Sequence, residues 1–335
     1  MNRSLRSAAV AASLAVLAGG LLPASPARAA IEGPHLDSSS DVYVGTDSTG
    51  ASCTTATPRP ARTDPAFSDN GYWVAGRWRY STAVRNGAGA DDNRLTVSGS
   101  VRARQTPYVG GPAAFDATLS TVGSLTPLTR TSSCTTQVTS GPEVWFDFTV
   151  TRPQWFTITS TAKVTGSGYL DGSLLRDDAE TGVQLGNDGS GTTTVYLAPG
   201  RYSFEAVANL LLFASRPERR TGSVSGSVHA RWALVGSAAS GQAGRAGRFV
   251  TFGTARDCTH GTLGATLSRK LRKKAKRVDL LVNGQRRVTL KRKHLRAGSV
   301  TITGLPATSR ATVTAVVTPK KGKRLTATRS YLACR

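Results

Sequence analysis

Short runs in which apolar and polar residues alternate are the feature that most constrains the fold of this chain. In the run VWFDFTV at 144–150, valine or phenylalanine occupies every second position, so one side of an extended chain is apolar while the other carries Trp145, Asp147 and Thr149. A second such run begins at Trp155. Similar runs recur at roughly ten-residue spacing with little helical periodicity, which predicts an all-β protein with a jelly-roll or β-sandwich architecture.

A second group of strands is predicted after residue 250. Asn283-Gly284 separates two apolar runs at 278–282 and 285–290, and this dipeptide is the strongest short signal for a β-hairpin. Further strands are predicted from their alternation at 300–302, 311–317 and 325–331. These runs predict a small sheet that is separate from the first group of strands.

Two parts of the chain resemble known secreted modules. The runs WFDFTV at 145–150 and LAPGRYSF at 197–204 are similar to strand and turn motifs of bacterial jelly-roll modules of the pre-peptidase C-terminal type. The hairpin at Asn283-Gly284, the GLP turn at 304–306 and the closing tyrosine and cysteine resemble immunoglobulin-like C-terminal modules of secreted actinobacterial envelope proteins. The resemblances imply a jelly-roll sandwich followed by a small immunoglobulin-like β-sandwich, an envelope setting and no chemistry of their own.

The organisation of the chain follows from a change of composition near residue 240. A stretch of small residues at 236–244 predicts a flexible linker there. Five segments are therefore predicted. They are a signal peptide at 1–29, an irregular N-terminal segment at 30–70, a jelly-roll-like β-sandwich domain at 71–235, a linker at 236–247 and a basic immunoglobulin-like domain at 248–335.

The N-terminus has the form of a secretory signal peptide. Arginines at positions 3 and 6 precede an Ala/Leu/Val run at 8–22, and cleavage is expected after the small-residue sequence that ends at Ala29. No later stretch approaches the roughly 20 apolar residues that a membrane-spanning helix requires. We therefore expect a secreted protein, extracellular or cell-wall associated, without a transmembrane segment.

The four cysteines behind this signal predict structural disulfides. Four cysteines permit three pairings, and two of them lie on each side of the composition change. We therefore expect Cys53 to pair with Cys134 and Cys258 to pair with Cys334. A zinc site is disfavoured because the chain has no Cys-x-x-Cys spacing and only four histidines.

Positive charge is concentrated in the last quarter of the chain. Residues 245–335 hold 23 of the 43 basic and 2 of the 20 acidic residues, a net charge of +21, whereas residues 30–244 have a net charge of −1. Clustered cations bind polyanions largely through counterion release, so the expected partner is an anionic cell-wall polymer or glycan. Ten cations are predicted to carry this binding. They are Arg272, Lys273, Lys274, Lys276, Arg277, Arg286, Arg287, Lys291, Arg292 and Lys293.

Solubility and nucleic-acid recognition are two other roles that these cations could serve. A high net charge also keeps a secreted protein soluble, without any ligand. Specific nucleic-acid recognition is disfavoured, because no aromatic residues interleave with the cations to stack against bases. The concentration of charge in one predicted domain favours polyanion binding over solubility alone.

The residues indicate no enzyme. The chain has no Gly-x-Ser-x-Gly elbow, no phosphate loop and no His-Glu-x-x-His motif, and its four histidines are scattered along the sequence. The alternative function is a carbohydrate-binding accessory module, in which the N-terminal sandwich recognises a neutral glycan. Trp145 and Trp155 are the candidates for its stacking platform, with Tyr72 or Trp73 beside them.

A group of carboxylates between residues 171 and 188 has three interpretations. Solvated turn residues are favoured, while calcium ligands and a glycosidase pair remain open. The group consists of Asp171, Asp177, Asp178, Glu180 and Asp188. No other cofactor is expected.

Overall fold

The structure of the full chain is a computed structural model. It describes residues 30–46, 50–57, 70–106, 114–130, 134–176, 179–184, 190–215, 217–296 and 298–335. The predicted signal peptide at 1–29 lies outside these residues. Within them, no helix is long and apolar enough to cross a membrane.

Strands account for most of the described chain. The first group comprises β1 (Ala30–Val44), β2 (Thr54–Thr55), β3 (Val74–Arg85), β4 (Asp91–Thr106), β5 (Ala114–Pro127), β6 (Thr136–Val150), β7 (Gln154–Thr165), β8 (Ser167–Arg176), β9 (Ala179–Gln184), β10 (Gly191–Leu197), β11 (Gly200–Ala214) and β12 (Arg220–Leu234). The second comprises β13 (Val250–Phe252), β14 (Leu263–Leu267), β15 (Ala275–Val282), β16 (Gln285–Lys291), β17 (Ser299–Ile302), β18 (Ala311–Pro319) and β19 (Leu325–Tyr331). A one-turn helix, α1 (Leu271–Lys274), and 3-10 helices at Arg245–Arg248 and Arg292–Arg296 accompany the second group.

The first group forms two antiparallel sheets that face each other. One sheet has the order β1-β6-β11-β8-β9, and the other has the order β10-β7-β12-β5-β4-β3-β2. Of the eight strands β5 to β12, four lie side by side in each sheet, in the orders β6-β11-β8-β9 and β10-β7-β12-β5. These two orders are those of an eight-stranded jelly roll. The predicted all-β sandwich is therefore confirmed.

Large aromatic side chains fill the space between the two sheets. The Phe146 ring on β6 lies 4.7 Å from the Phe115 ring on β5 and 5.2 Å from the Phe204 ring on β11, measured between ring centroids. Trp232 and Phe148 adjoin the same cluster, with ring centroids 5.3 Å apart. The alternation that predicted a strand at 144–150 thus also identified the apolar face that is buried.

The second group forms a smaller sandwich of seven strands, here called the C-terminal module, with a core of its own. Its sheets have the orders β13-β14-β17 and β16-β15-β18-β19. Asn283 and Gly284 connect β15 to β16 with φ angles of 49° and 81°, the left-handed conformation that a two-residue hairpin turn requires. The predicted hairpin and the small separate sandwich are confirmed.

The segment predicted to be irregular at 30–70 contains a long edge strand. β1 pairs with β6 from Ala30 to Val44, and Leu36 is fully buried between the sheets. The sequence of β1 lacks regular alternation, so no period indicated it. Pairing with the edge of β6 gives hydrogen-bond partners to main-chain N–H and C=O groups that would otherwise lack them. Such pairing does not depend on the side-chain pattern.

The segment predicted to be a flexible linker is packed against the C-terminal module. The backbone N–H groups of Ala238, Ala239 and Ala243 donate to carbonyl oxygens of Thr254, Ser330 and Thr328 at 2.8–2.9 Å. Small side chains permit this close approach. A Cβ atom on Gly236 would lie 2.6 Å from the Cys258 sulfur. Composition alone does not distinguish such a closely packed segment from a mobile one.

Both predicted disulfides are present. Cys53 pairs with Cys134 and Cys258 pairs with Cys334, with Cα–Cα distances of 6.1 and 5.5 Å. The first bridge joins the segment after β1 to the start of β6, and the second joins the loop after β13 to the residues after β19.

Candidate functional site

Four basic segments meet at one end of the C-terminal module. In the four-stranded sheet, the register places Ala275 opposite Pro319 and Arg277 opposite Lys291. The start of β15 therefore lies beside the ends of β16 and β18. The Lys320 N–H donates to the Lys274 carbonyl oxygen at 2.8 Å, which joins the β18–β19 turn directly to α1.

The three-stranded sheet brings the remaining segments to the same end. The Ser268 N–H donates to the Phe249 carbonyl oxygen at 2.8 Å, and the Leu267 N–H donates to the Gly298 carbonyl oxygen at 3.0 Å. The 3-10 helix at Arg245–Arg248 and the one at Arg292–Arg296 thus both adjoin the segment that leads into α1.

Sixteen cations occupy this end, which we call the basic pole. All sixteen side chains are exposed. The members are Arg245, Arg248, Arg269, Lys270, Arg272, Lys273, Lys274, Lys276, Lys291, Arg292, Lys293, Arg296, Lys320, Lys321, Lys323 and Arg324. In the part of the chain that the structure describes, no carboxylate forms an ion pair with any of them. A dense, uncompensated positive field in water is the arrangement that attracts a polyanion.

The basic pole contains seven of the ten cations singled out from the sequence. The exceptions are Arg277, Arg286 and Arg287. The guanidinium groups of Arg277 and Arg286 lie 2.8 and 3.3 Å from the Asp279 carboxylate. Arg287 lies toward the opposite end, where its guanidinium donates to the Gln285 side chain at 3.0 Å.

The location of the nine further members beside these seven became visible only in the tertiary structure. The basic hairpin tip at 320–324 is readable in the sequence, but its position beside α1 depends on the pairing of β15 with β18. That pairing joins residues about forty positions apart and is set by the packed sheet. A prediction of which strands are neighbours would have found these cations.

Asp279 holds a compact ion-pair network on β15. Its side chain is 10% exposed, and it accepts hydrogen bonds from the Thr289 hydroxyl at 2.7 Å and from Arg277 at 2.9 Å. Burial acts to raise the pKa of Asp279, but the hydrogen bonds and the charges of Arg277 and Arg286 outweigh it, so the pKa lies below its ordinary value. The ionised carboxylate therefore stabilises the folded module.

An Asp279→Asn variant is expected to lose about 1–3 kcal/mol of unfolding free energy at neutral pH, since the charge-assisted hydrogen bonds are lost. The folded-state pKa of Asp279 is depressed. Its contribution is therefore present above the unfolded-state pKa and disappears as the pH falls through the folded-state value.

Denaturant unfolding of the full chain at pH 7 and pH 3 measures this effect. The difference between the native protein and the variant should shrink at pH 3, and the exposed carboxylate variant Asp257→Asn should change the unfolding free energy at pH 7 less. A constant difference at both pH values would contradict this assignment.

The first sandwich contacts the end of the C-terminal module that lies opposite the basic pole. The Trp155 indole N–H donates to the Ala333 carbonyl oxygen at 2.8 Å. The Gly236 N–H donates to the same oxygen at 3.0 Å. Ala333 follows β19, whose other end begins beside the β18–β19 turn of the pole. The basic pole therefore points away from the first sandwich.

The two tryptophans predicted to form one glycan platform lie on different sheets. Trp145, 36% exposed, is on the outer face of the five-stranded sheet through β6, and Trp155 is on the outer face of the seven-stranded sheet through β7. The Trp155 ring also packs edge-on against Tyr196, with ring centroids 5.7 Å apart. The structure does not bring Trp145 and Trp155 together, because successive strands of the jelly roll alternate between sheets.

The acidic group at 171–188, for which calcium binding was one of three interpretations, falls mostly outside the described residues. This applies to Asp177, Asp178 and Asp188, and the side chain of Glu180 is likewise outside the description. Asp171 lies on β8 beside β11, where burial and the Asp171 charge together raise the pKa of Glu205. Among the described residues, no group of three or more His, Cys, Asp or Glu side chains is placed to hold a metal ion.

Comparisons with known proteins add little to this picture. No family model and no curated protein matches the chain. Among solved structures, the adhesin domain of Epf from Streptococcus pyogenes matches at 9% sequence identity, covering 75% of this chain and 89% of that domain, with a TM-score of 0.16. A superposition of this quality supports no inference about fold or function.

Proposed function

We propose that this protein is a secreted, non-enzymatic attachment protein whose basic pole binds an anionic polymer of the cell envelope. The observation that carries the proposal is the convergence of sixteen exposed cations from four separate segments on one end of the C-terminal module. A charge that served solubility alone would be expected to spread over both sandwiches. Here the residues before 245 are nearly neutral in sum.

The physical basis is the release of counterions from a linear polyanion. Each phosphate or carboxylate that a lysine or arginine neutralises frees a condensed cation, so many weak contacts add up to tight but salt-sensitive binding. Because the four segments lie side by side, a polymer that crosses the pole meets cations from several of them at once. Exposed cations also keep their hydration until they bind, which spares the folded module a desolvation cost.

The basic pole is an exposed end that points away from the first sandwich. This position favours attachment to a polymer surface over enclosure of a ligand. Since the first sandwich joins the module near Ala333, a polymer bound at the pole leaves that sandwich projecting away from the surface. The two disulfides fit an oxidising compartment outside the cytosol. Both features agree with a protein that displays one domain by means of another.

Replacing six lysines of the pole by serine is expected to weaken binding to purified actinobacterial cell walls by at least about 100-fold at low salt. The variant carries Lys273→Ser, Lys274→Ser, Lys276→Ser, Lys320→Ser, Lys321→Ser and Lys323→Ser. Wall-bound and free protein are separated by sedimentation across a salt series. The affinity of the native protein should fall steeply with salt, and the variant should show a shallower slope.

The matched control removes six exposed cations that lie outside the pole. It carries Arg130→Gln, Arg152→Gln, Arg219→Gln, Arg287→Gln, Arg310→Gln and Arg335→Gln. The control variant should retain most of the affinity, because its charge loss equals that of the pole variant but its positions differ. Equal weakening of both variants would show that only net charge matters, and binding that ignores salt would contradict polyanion attachment altogether.

A further inference from the structure

The outer face of the seven-stranded sheet is basic, although the first sandwich as a whole is nearly neutral. Its alternating outward positions hold eight cations, and its two described carboxylates, Asp91 and Asp116, are each paired with an arginine at 3.1 and 2.9 Å. The cations are Arg77, Arg79, Arg85, Arg94, Arg102, Arg104, Lys163 and Arg231.

The outer face of the five-stranded sheet has the opposite sign. Its described outward positions include four carboxylates, and Arg201 is paired with one of them, Asp147, at 2.8 Å. The carboxylates are Glu143, Asp147, Asp171 and Glu205. The near-zero charge of this part of the chain is therefore a sum over two faces of opposite sign, which a count along the sequence conceals.

Three arginines lie together at one side of the basic face, on β3 and β4. Arg77 and Arg79 alternate along β3, and Arg102 lies on β4 opposite Ala75, one outward position from Arg77. None of the three has a carboxylate partner among the described residues. The Arg102 guanidinium carbon lies 4.0 Å above the centre of the Trp73 ring, which fixes an aromatic group beside the cations.

Rows of hydroxyl groups run across the sheet from these arginines. The register aligns Arg77 with Ser100, Ser120, Ser225 and finally Lys163, over five neighbouring strands. An adjacent row runs from Arg102 through Thr118 and Ser227 to Thr161. Five strands span about 19 Å, and the short side chains between the cations leave a mostly polar floor of that width. The exposed Val122 lies in the row that starts at Arg79.

We infer that this basic, hydroxyl-rich face binds a linear anionic glycan. Planar guanidinium groups match the geometry of carboxylate and phosphate, and the three arginines supply them at one side of the face. Serine and threonine hydroxyls donate and accept hydrogen bonds and so match sugar hydroxyls along the floor. The exposed Tyr72, next to Trp73, adds an aromatic surface on which a sugar ring stacks. The acidic groups of the glycan pair with Arg77, Arg79 and Arg102. This site is separate from the basic pole and does not depend on it.

The test uses an Arg77→Gln, Arg79→Gln, Arg102→Gln variant of the mature chain. Its matched control is Arg130→Gln, Arg152→Gln, Arg219→Gln, which removes equal charge from turns and from the segment before β12. Both triple sets are made in the native protein and in the six-lysine pole variant, so that binding at the two surfaces is separated as in a double-mutant cycle. The probes are polygalacturonate, polyglutamate of equal charge, and neutral dextran.

In the pole-variant background, where the pole no longer dominates binding, the face variant is expected to bind polygalacturonate about tenfold more weakly, while the control stays within about twofold. In the native background the intact pole keeps the loss smaller. Polygalacturonate should bind more tightly than polyglutamate, since only the former offers sugar hydroxyls, and dextran should bind weakly. Denaturant unfolding followed by tryptophan fluorescence checks that the first sandwich of each variant folds, because all five tryptophans lie at or before residue 232. Calorimetry checks the C-terminal module.

Three results would overturn the inference. Equal affinity for polygalacturonate and polyglutamate would reduce the face to a general cationic surface. An undiminished affinity of the face variant in the pole-variant background would place all glycan binding elsewhere. Salt-sensitive self-association that the face variant abolishes, with no effect on glycan binding, would identify the acidic face of a second copy as the occupant. Since the pole variants are tested separately on cell walls, either surface can fail alone.

Discussion

Loss of the Cys258–Cys334 disulfide is expected to lower the unfolding free energy of the C-terminal module by about 4 kcal/mol, because the bridge closes a long loop in the unfolded chain. The two cysteines are 76 residues apart, so the bridge joins the beginning of the module to its end. Replacement of both by serine removes the covalent link of the residues after β19 and leaves backbone hydrogen bonds, such as the one from the Leu332 N–H to the Ser237 carbonyl oxygen at 2.9 Å. The Ala333 carbonyl, which accepts the Trp155 indole N–H, lies next to Cys334. We therefore expect the joint between the two sandwiches to loosen as well.

Calorimetry of the full chain, combined with tryptophan fluorescence, measures this effect. All five tryptophans lie at or before residue 232, so fluorescence reports the unfolding of the first sandwich and, through Trp155, its contact with the module. The matched control replaces Cys53 and Cys134 by serine, a bridge of 81-residue separation in the first sandwich. The control should destabilise the fluorescence transition and leave the other transition in place. A module transition that is unchanged without Cys258 and Cys334 would show that packing alone stabilises it.

Phe146→Ala is the second change with a large expected effect, at about 3–5 kcal/mol of unfolding free energy in the first sandwich. The Phe146 ring is fully buried and contacts Phe115 on the facing sheet and Phe204 on the neighbouring strand. Removal of the ring leaves a cavity in a layer that both sheets share. The surrounding aromatic rings are held by their own strands and fill such a cavity only in part.

Denaturant unfolding followed by tryptophan fluorescence tests this prediction. Phe213→Ala is the control, since it deletes the same ring from β11 of the same sandwich at a side chain that is 55% exposed. The control should change the unfolding free energy by no more than about 0.5 kcal/mol. Similar losses in the two variants would mean that the aromatic cluster does not carry the sandwich core.

The strands and the two disulfides were largely predictable from the sequence. Alternation at 144–150 identified both a strand and its buried face, and Asn283-Gly284 identified the turn of a hairpin, since these signals act between residues close in the chain. The strand β1 was not predicted. Its pairing with β6 depends on a neighbour more than 90 residues away rather than on a local period.

The candidate binding residues show the same difference between local sequence signals and long-range strand pairing. Seven of the ten predicted cations lie in the basic pole because they are close together in the sequence as well as in space. Arg277 and Arg286 proved to be tied to Asp279 by the pairing of β15 with β16. Trp145 and Trp155 are ten residues apart in the chain, yet the jelly-roll crossover places them on opposite sides of the sandwich.

By itself, the sequence determined the all-β class, the positions of the strands with clear alternation, the cysteine pairs and the concentration of charge after residue 245, because each of these depends on composition or on near neighbours. Only the tertiary structure decided which charges share a surface. It gathered sixteen cations at one end of the module, paired Arg277 with Asp279, and sorted the charges of the first sandwich onto two faces of opposite sign. The reason is physical: strand order and register are set by burial of both sheets at once, and they bring together residues whose separation in the chain carries no information about their distance in space.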